Sequence, residues 1–213
     1  MCLTLLRRCL PLLVLVAVLA WLGGASAADD DKDFKPLFNG KDLSGFKFEL
    51  AKKDADPMKT FSVKDGVIVV SGTPNGYFYT DKSYKNYILR FDFRYPKAPG
   101  NSGYLIHITG EHKVWPKCIE VQGQYQNVCA IFPIGGLKGP RPPVDKEARD
   151  KVRKPANEWN SVEIISKDGT LTSKLNGVVI CASEPYEVKE GPIGFQSEGA
   201  EIHFRNIRIK ELK

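Results

Sequence analysis

The sequence predicts an all-β protein, an antiparallel β-sandwich of the jelly-roll type that forms a single domain. Every second residue from Tyr87 to Tyr95 is apolar, and Arg90, Asp92 and Arg94 lie between them, the period-two pattern of a half-buried antiparallel strand. Asp65-Gly66 and Asn176-Gly177 each separate two short apolar runs, as expected of type I′ hairpin turns. After the N-terminal segment, no window sustains the 3.6-residue period of an amphipathic helix.

The predicted strands are short and follow one another at regular intervals. In chain order they cover residues 61–64, 67–70, 87–95, 103–108, 119–122, 161–166, 171–175, 178–181, 193–196, 201–204 and 207–212. The best helical candidate, 145–152, is mostly charged and lies within a Pro/Gly-rich stretch, 135–155. Many short strands with regular turn signals indicate a sandwich. The stretch 135–155 is long and irregular, so we expect it to be a loop that is either functional or disordered.

The first 27 residues have the pattern of a secretory signal peptide. Arg7 and Arg8 precede an apolar run over 9–22, and small residues lead to Ala27. This run is shorter than the roughly 20 residues of a membrane-spanning helix, although an uncleaved signal anchor is the alternative. We therefore expect an exported protein, periplasmic or extracellular, without a membrane span after cleavage. An acidic tail (28–33) would then precede the domain (34–213).

Composition excludes several classes of protein. With 42% hydrophobic and 26% charged residues, the chain is neither collagen-like, nor a coiled coil, nor wholly disordered. The 31 Lys and Arg residues against 25 Asp and Glu give a mild net charge of +6 without a basic cluster, so no nucleic-acid partner is expected. Export would place Cys118, Cys129 and Cys181 in an oxidising compartment. A Cys118–Cys129 disulfide is one pairing that the spacing allows, and a buried free thiol is the usual fate of the third cysteine.

Seven fragments, taken in order, resemble one known family. They are LFNGKDLSGF (37–46), NSG (101–103), EVQ (120–122), NEWN (157–160), LNG (175–177), IGFQ (193–196) and FRNI (204–207). Together they resemble the 3-keto-disaccharide hydrolase domain family over about 34–212. The resemblance implies a concanavalin-A-like lectin/glucanase fold and an exported protein of bacterial carbohydrate breakdown. It also implies a sugar site on one sheet, and some members cleave glycosides already oxidised to a ketone at C3.

Two predicted strands carry the candidate catalytic residues. With a period of two, Glu120, Gln122 and Gln124 share one face, and His107 lies on the same face of its strand as Gly103. If the two strands are neighbours, Glu120 and His107 meet. The alternatives are a solvated carboxylate and a structural histidine.

The chemistry follows from the number of carboxylates. Ordinary glycoside hydrolysis uses two, and Glu120 stands alone on its strand, so direct hydrolysis is not favoured. A ketone at C3 acidifies the hydrogen on C2, so that one base and one electrophile suffice for elimination of the C1 substituent. We expect Glu120 or His107 to be the base, with the other, or Arg205, polarising the ketone. For Arg205 the alternative is a structural ion-pair partner.

Further residues are expected to bind the sugar. Asn101 and Ser102 enter a strand from a turn, Trp115 precedes the Glu120 strand, and Gln196 ends another strand; Gln122 and Gln124 extend the row of Glu120. For Asn101 and Ser102 turn chemistry is the alternative, and for Trp115 core packing.

Together with these residues, the resemblance implies an exported carbohydrate-active protein that cleaves 3-keto-glycosides by hydrolysis or by elimination and hydration. The alternative is a non-catalytic, lectin-like carbohydrate-binding module on the same fold. No metal site or other cofactor is expected; a divalent cation would be compatible with the fold, but no Asp/Asn-rich loop indicates one.

Overall fold

Two antiparallel sheets lie face to face in the computed structural model, which describes residues 32–213. The strands are β1 (Lys35–Pro36), β2 (Phe46–Leu50), β3 (Phe61–Lys64), β4 (Val67–Val70), β5 (Gly76–Thr80), β6 (Tyr87–Arg94), β7 (Gly103–Thr109), β8 (Lys117–Gln122), β9 (Ile131–Ile134), β10 (Asn160–Lys167), β11 (Thr170–Leu175), β12 (Val178–Ala182), β13 (Gly194–Ser197) and β14 (Ile202–Glu211). Two short helices, α1 (Pro57–Thr60) and α2 (Lys146–Val152), and a 3₁₀ turn at Tyr125–Asn127 complete the elements.

The back sheet has eight strands in the order β12-β11-β10-β6-β14-β4-β3, with β1 paired to β14. The front sheet has six strands in the order β2-β5-β13-β7-β8-β9. Neighbours in each sheet are antiparallel, which confirms the predicted β-sandwich.

The core lies between the sheets and is rich in aromatic rings. Every second residue of β6 is buried, as the alternation over 87–95 predicts. From this strand Phe91 packs edge-on against Tyr104 and Phe195 of the front sheet, with ring centroids 4.5 and 5.2 Å apart. Edge-to-face packing of this kind stabilises an aromatic core beyond simple burial of apolar area.

The predicted hairpin turns are confirmed. Asp65 and Gly66 join β3 to β4 with φ of 51° and 74°, and Asn176 and Gly177 join β11 to β12 with φ of 49° and 87°. Two consecutive residues of positive φ define a type I′ turn. The charged stretch 145–152 contains α2, which begins where the Asp145 side chain accepts a hydrogen bond from the Ala148 amide at 2.9 Å.

The predicted signal peptide and most of the acidic tail lie outside the described residues. From Asp33 to Lys213 the chain forms one compact unit. Within residues 32–213, no helix has the length and hydropathy needed to cross a membrane.

All three cysteines of the domain are free and buried. Cys129 and Cys181 belong to the core between the sheets, whereas Cys118 packs in a separate apolar cluster with Leu105. The Cys118–Cys129 disulfide is therefore absent from the structure, because the two side chains belong to different clusters.

Candidate functional site

The outer face of the front sheet, which points away from the back sheet, carries a small group of polar side chains. On β8, Ile119 and Val121 are buried in the core, so Glu120 and Gln122 lie on the outer face. Gln124 does not continue this row, because β8 ends at Gln122. It lies in the following turn, where the backbone N–H of Gln124 donates to Gln122 Oε1 at 2.8 Å.

A glycine makes room for these side chains. Gly103 on β7 pairs with Gln122 on one side and, by the register of β13, lies beside Gln196 on the other. A Cβ at position 103 would lie 2.5 Å from Glu120 Oε1 and closer still to Gln196 Oε1. Glu120 and Gln196 therefore lie over Gly103, and we call this group, with Gln122 and the nearby Glu198, the central hollow.

Gln196 has unused hydrogen-bonding capacity. Its side chain is fully buried, yet neither its Nε2 nor its Oε1 has a hydrogen-bond partner among the described residues. Asn101 Oδ1 is also buried without a hydrogen-bond partner among the described residues, and Asn101 forms a β-bridge to Glu198. An unpaired buried polar group costs about 1–3 kcal/mol, so each one in a native structure requires an explanation, of which a bound ligand is one.

Glu120 is an unusual carboxyl group. Only 6% of the residue is exposed, and burial, with a further contribution from the charge of Glu198, raises its pKa to about 8. Burial raises the pKa of Glu198 as well. Sequence reasoning missed Glu198, which follows the end of β13 and forms a β-bridge with Asn101. A carboxyl group with a pKa near neutrality is suited to proton transfer.

His107 does not lie beside Glu120, contrary to prediction. The pairing of β7 with β8 shifts between Ile106 and Thr109, and His107 has a φ of 56°, so a β-bulge reverses the alternation. Ile108 consequently takes the outer face. His107 turns towards the back sheet, where its Nε2 lies 3.2 Å from Ser166 Oγ and its ring packs edge-on against Tyr87.

The burial of His107 predicts how the stability of the protein depends on pH. Burial lowers the pKa of His107 below its ordinary 6.5, although a hydrogen bond to the Val188 carbonyl and the charge of Glu190 oppose the shift. As pH falls below 6.5 the unfolded state gains a proton that the folded state does not, so stability is lost. We expect urea titrations below pH 6.5 to show that the free energy of unfolding falls more steeply with falling pH in the wild type than in His107→Gln. The difference between the two slopes is at most about 1.4 kcal/mol per pH unit. Equal pH slopes would contradict this role.

Arg205 also lies away from Glu120. It projects from β14 on the outer face of the back sheet, where its Nε donates to Asp92 Oδ2 at 3.0 Å. Its guanidinium carbon lies 4.1 Å from the centre of the Trp159 ring, and Asn206 donates to the same Asp92 oxygen at 2.8 Å. The NEWN and FRNI fragments therefore meet in a structural cluster on the opposite side of the sandwich. The ion pair with Asp92 is the structural alternative for Arg205, and the predicted role of Arg205 at the ketone is wrong.

Ser102 and Trp115, both predicted to bind the sugar, differ from each other in exposure. Ser102 is fully buried, and its Oγ donates to the backbone carbonyl of Gln196 at 2.9 Å, so it positions β13 rather than facing a ligand. Trp115 lies in the loop between β7 and β8 and is 43% exposed, which contradicts core packing.

An aromatic group that sequence reasoning missed lies on the same outer face. The His112 ring stacks on Tyr79 with centroids 4.3 Å apart, and its Nδ1 lies 3.1 Å from the Tyr77 hydroxyl. We call Tyr77, Tyr79 and His112 the aromatic shelf. Among residues 32–213, no group of three or more His, Cys, Asp or Glu side chains is arranged to hold a metal ion.

Comparisons with solved structures agree with the fold. The chain is similar to a protein from Parabacteroides distasonis ATCC 8503 described as a candidate glycosyl hydrolase, at 24% identity and a TM-score of 0.66, over 89% of this chain and 99% of that one. It is also similar to the carbohydrate-binding module CBM66 from Bacillus subtilis, at 11% identity and a TM-score of 0.53, over 78% and 96% of the two chains. A β-glucanase from Bacillus licheniformis gives 11% identity and a TM-score of 0.53, over 84% and 97%. At such identities these likenesses establish the fold alone.

Sequence comparison identifies the family. No curated protein matches the chain significantly. The family model of the 3-keto-alpha-glucoside-1,2-lyase-like domain, however, matches residues 33–210, which include the central hollow and nearly all of both sheets. The protein therefore belongs to the family of 3-keto-alpha-glucoside-1,2-lyase-like domains, as its ordered sequence fragments predict.

Proposed function

We propose that this protein cleaves glycosides that carry a ketone at C3, and that Glu120 is the base. The observation that carries the proposal is a nearly buried carboxyl group of raised pKa beside a buried amide, that of Gln196, which has no partner among the described residues. Membership of the family supports the same substrate class. The proposal includes export and a sugar as the partner, with no cofactor required.

The reaction is redox-neutral. The Glu120 carboxylate removes the proton on C2, and the electron pair of that C–H bond forms an enolate with the C3 ketone. The enolate then re-forms the ketone as the C1–O bond breaks, leaving a C1=C2 double bond. The proton held by Glu120 passes to the departing oxygen, so the base is regenerated. Addition of water across the double bond, with OH to C1 and H to C2, completes a net hydrolysis.

Gln196 supplies the electrophile in this proposal. Its Nε2–H group donates to the ketone oxygen, where negative charge develops as the enolate forms. The amide has no hydrogen-bond partner among the described residues, so no existing bond has to break before it donates. Glu198 acts through its charge, since a neighbouring carboxylate makes Glu120 a stronger base.

Two other functions compete with this one. Glu198 is a second carboxyl group close enough to raise the pKa of Glu120, which favours ordinary two-carboxylate hydrolysis more than the sequence alone did. A non-catalytic binding module would use the unpaired amide groups to hold sugar hydroxyl groups. The three functions differ in their substrates, because only the first requires a ketone.

The test compares glucosides with and without a C3 ketone, and measures kcat/KM against pH for whichever reacts. We expect turnover of the oxidised substrate only, in the presence of EDTA, with a rate that rises about tenfold per pH unit and levels off near the Glu120 pKa of about 8. Hydrolysis of the unoxidised glucoside would favour the two-carboxylate mechanism, and binding without turnover would favour the module. A rate that declines through pH 8 would exclude the Glu120 carboxylate as the base.

A further inference from the structure

A cleft of about 260 Å³ lies on the outer face of the back sheet, on the opposite side of the sandwich from the central hollow. We call it the back-sheet cleft, and its lining consists of Lys64, Asp65, Val67, Val69, Arg94 and His203. The strand residues among them alternate with core residues such as Ile68 and Phe93, so they face away from the front sheet. His203 on β14 pairs with Arg94 of β6 and with Val69 of β4, so these three side chains form one row across the sheet.

The guanidinium group of Arg94 is held in place without a carboxylate. Its Nε donates to His203 Nδ1 at 3.4 Å, and its central carbon lies 4.6 Å from the centre of the Trp159 ring. Because His203 accepts through Nδ1, its Nε2 carries the hydrogen that it donates to Glu201 Oε1 at 2.9 Å. Among residues 32–213 no Asp or Glu pairs with Arg94, so its two terminal nitrogens keep their donors for an anion.

The rim of the back-sheet cleft carries one further positive charge and one negative charge. Lys64 ends β3, and Asp65 begins the hairpin turn that follows; both are exposed. The nearby Glu201 carboxylate is paired with the Lys97 ammonium at 2.7 Å. Two cations, Arg94 and Lys64, thus stand against the single carboxylate of Asp65, and this balance favours an anionic group beside Arg94.

The rest of the lining is apolar and the space is small. Val67 and Val69 are half-buried on the outer face of β4. Sites for drug-sized ligands measure roughly 300–1,000 Å³, so a cleft of about 260 Å³ suits one sugar ring rather than a longer ligand. A pyranose that carries a carboxylate matches both parts of this lining. Its carboxylate fits the planar fork of Arg94, and the apolar face of its ring fits the two valines.

We infer that the back-sheet cleft binds a uronic acid, a sugar with a carboxylate in place of the C6 hydroxymethyl group. Arg94 binds the carboxylate through its two terminal nitrogens, Lys64 adds attraction at the rim, and Val67 and Val69 contact the ring. The inference is independent of the proposed function, because the back-sheet cleft and the central hollow lie on opposite faces and share no residue. A uronic acid unit of an acidic polysaccharide would hold the domain by its back sheet and leave the central hollow open.

The experiment compares three ligands by NMR titration. Methyl glucuronide and methyl glucoside differ only in the carboxylate, and propionate offers a carboxylate without the ring, as an acidic peptide side chain does. We expect the glucuronide to bind at least about tenfold more tightly than either of the others. It should shift the indole N–H signal of Trp159, which contacts Arg94, and not that of Trp115 in the loop between β7 and β8. Equal affinity for the glucuronide and either other ligand, or a shift at Trp115 alone, would overturn the inference.

Variants of the lining test the charges one at a time. Arg94→Gln should weaken glucuronide binding about tenfold, and Lys64→Gln, at an exposed position, about threefold. Asp65→Asn should tighten it, because the change removes the opposing charge and asparagine suits the φ of 51° at this turn position. Lys138→Gln, which removes an exposed charge from the loop after β9, should bind as the wild type does. If Arg94→Gln does not fold, the opposite effects of Lys64→Gln and Asp65→Asn decide, and unchanged dissociation constants in both would overturn the inference.

Discussion

Replacing Glu120 with Gln is expected to lower kcat on a 3-keto-glycoside by about 10²- to 10⁴-fold, the usual contribution of a general base. Glutamine has nearly the same shape, so the central hollow should keep its geometry and its affinity for the sugar. The measurement is kcat and the dissociation constant for the same ligand, and Glu187→Gln, an exposed carboxyl elsewhere on the surface, is the control. Unchanged turnover in Glu120→Gln would exclude Glu120 as the base.

The pH dependence of stability provides an independent test of the raised pKa of Glu120. The folded pKa of Glu120 is about 8 against an ordinary 4.5, so between these values the folded state keeps a proton that the unfolded state has released. The wild type therefore loses stability as pH rises from 4.5 to 8, while a glutamine does not titrate. Relative to the wild type, Glu120→Gln should gain on the order of 4 kcal/mol across that range. A variant that loses activity and also unfolds more easily at pH 8 would show that the carboxyl group is structural.

The sequence predicted the fold better than the site, for a physical reason. Alternation over 87–95 and the Asp-Gly and Asn-Gly turns are local signals, and each corresponds to an observed strand or hairpin. Alternation along β8 correctly places Glu120 and Gln122 on the face of the strand opposite to Ile119. It fails at His107, because a β-bulge depends on the pairing of two strands and leaves no mark in the alternation of one.

Strand order across the sheets accounts for the remaining differences. Arg205 obeys the alternation of its own strand, but β14 belongs to the back sheet, and no local pattern reveals which sheet a strand joins. Tyr79 and His112 meet only because β5 lies next to β13 and the loop after β7 folds over them. Such long-range neighbours have to be observed in the folded chain.

The NSG fragment has a specific role in this site, which Gly103→Ala tests. The φ of Gly103 is one that an alanine adopts readily, so the backbone should tolerate the change. The new Cβ would instead lie 2.5 Å from Glu120 Oε1 and even nearer to Gln196 Oε1, so both side chains must move away from the reacting position. We expect kcat/KM on the 3-keto substrate to fall by about 10²-fold, the effect of displacing a catalytic group by about 1 Å.

The size of the Gln196 side chain offers a matched control for this prediction. Overpacking should also cost about 1–3 kcal/mol of unfolding free energy in Gly103→Ala. Adding Gln196→Asn shortens the nearer side chain by one methylene and relieves the closest contact, so the double variant should recover part of that stability. It should not recover the activity, because the shortened amide no longer reaches the ketone oxygen. Additive stability losses in the double variant would mean that the two residues do not share the hollow, and the glycine of the NSG fragment would then serve the backbone alone.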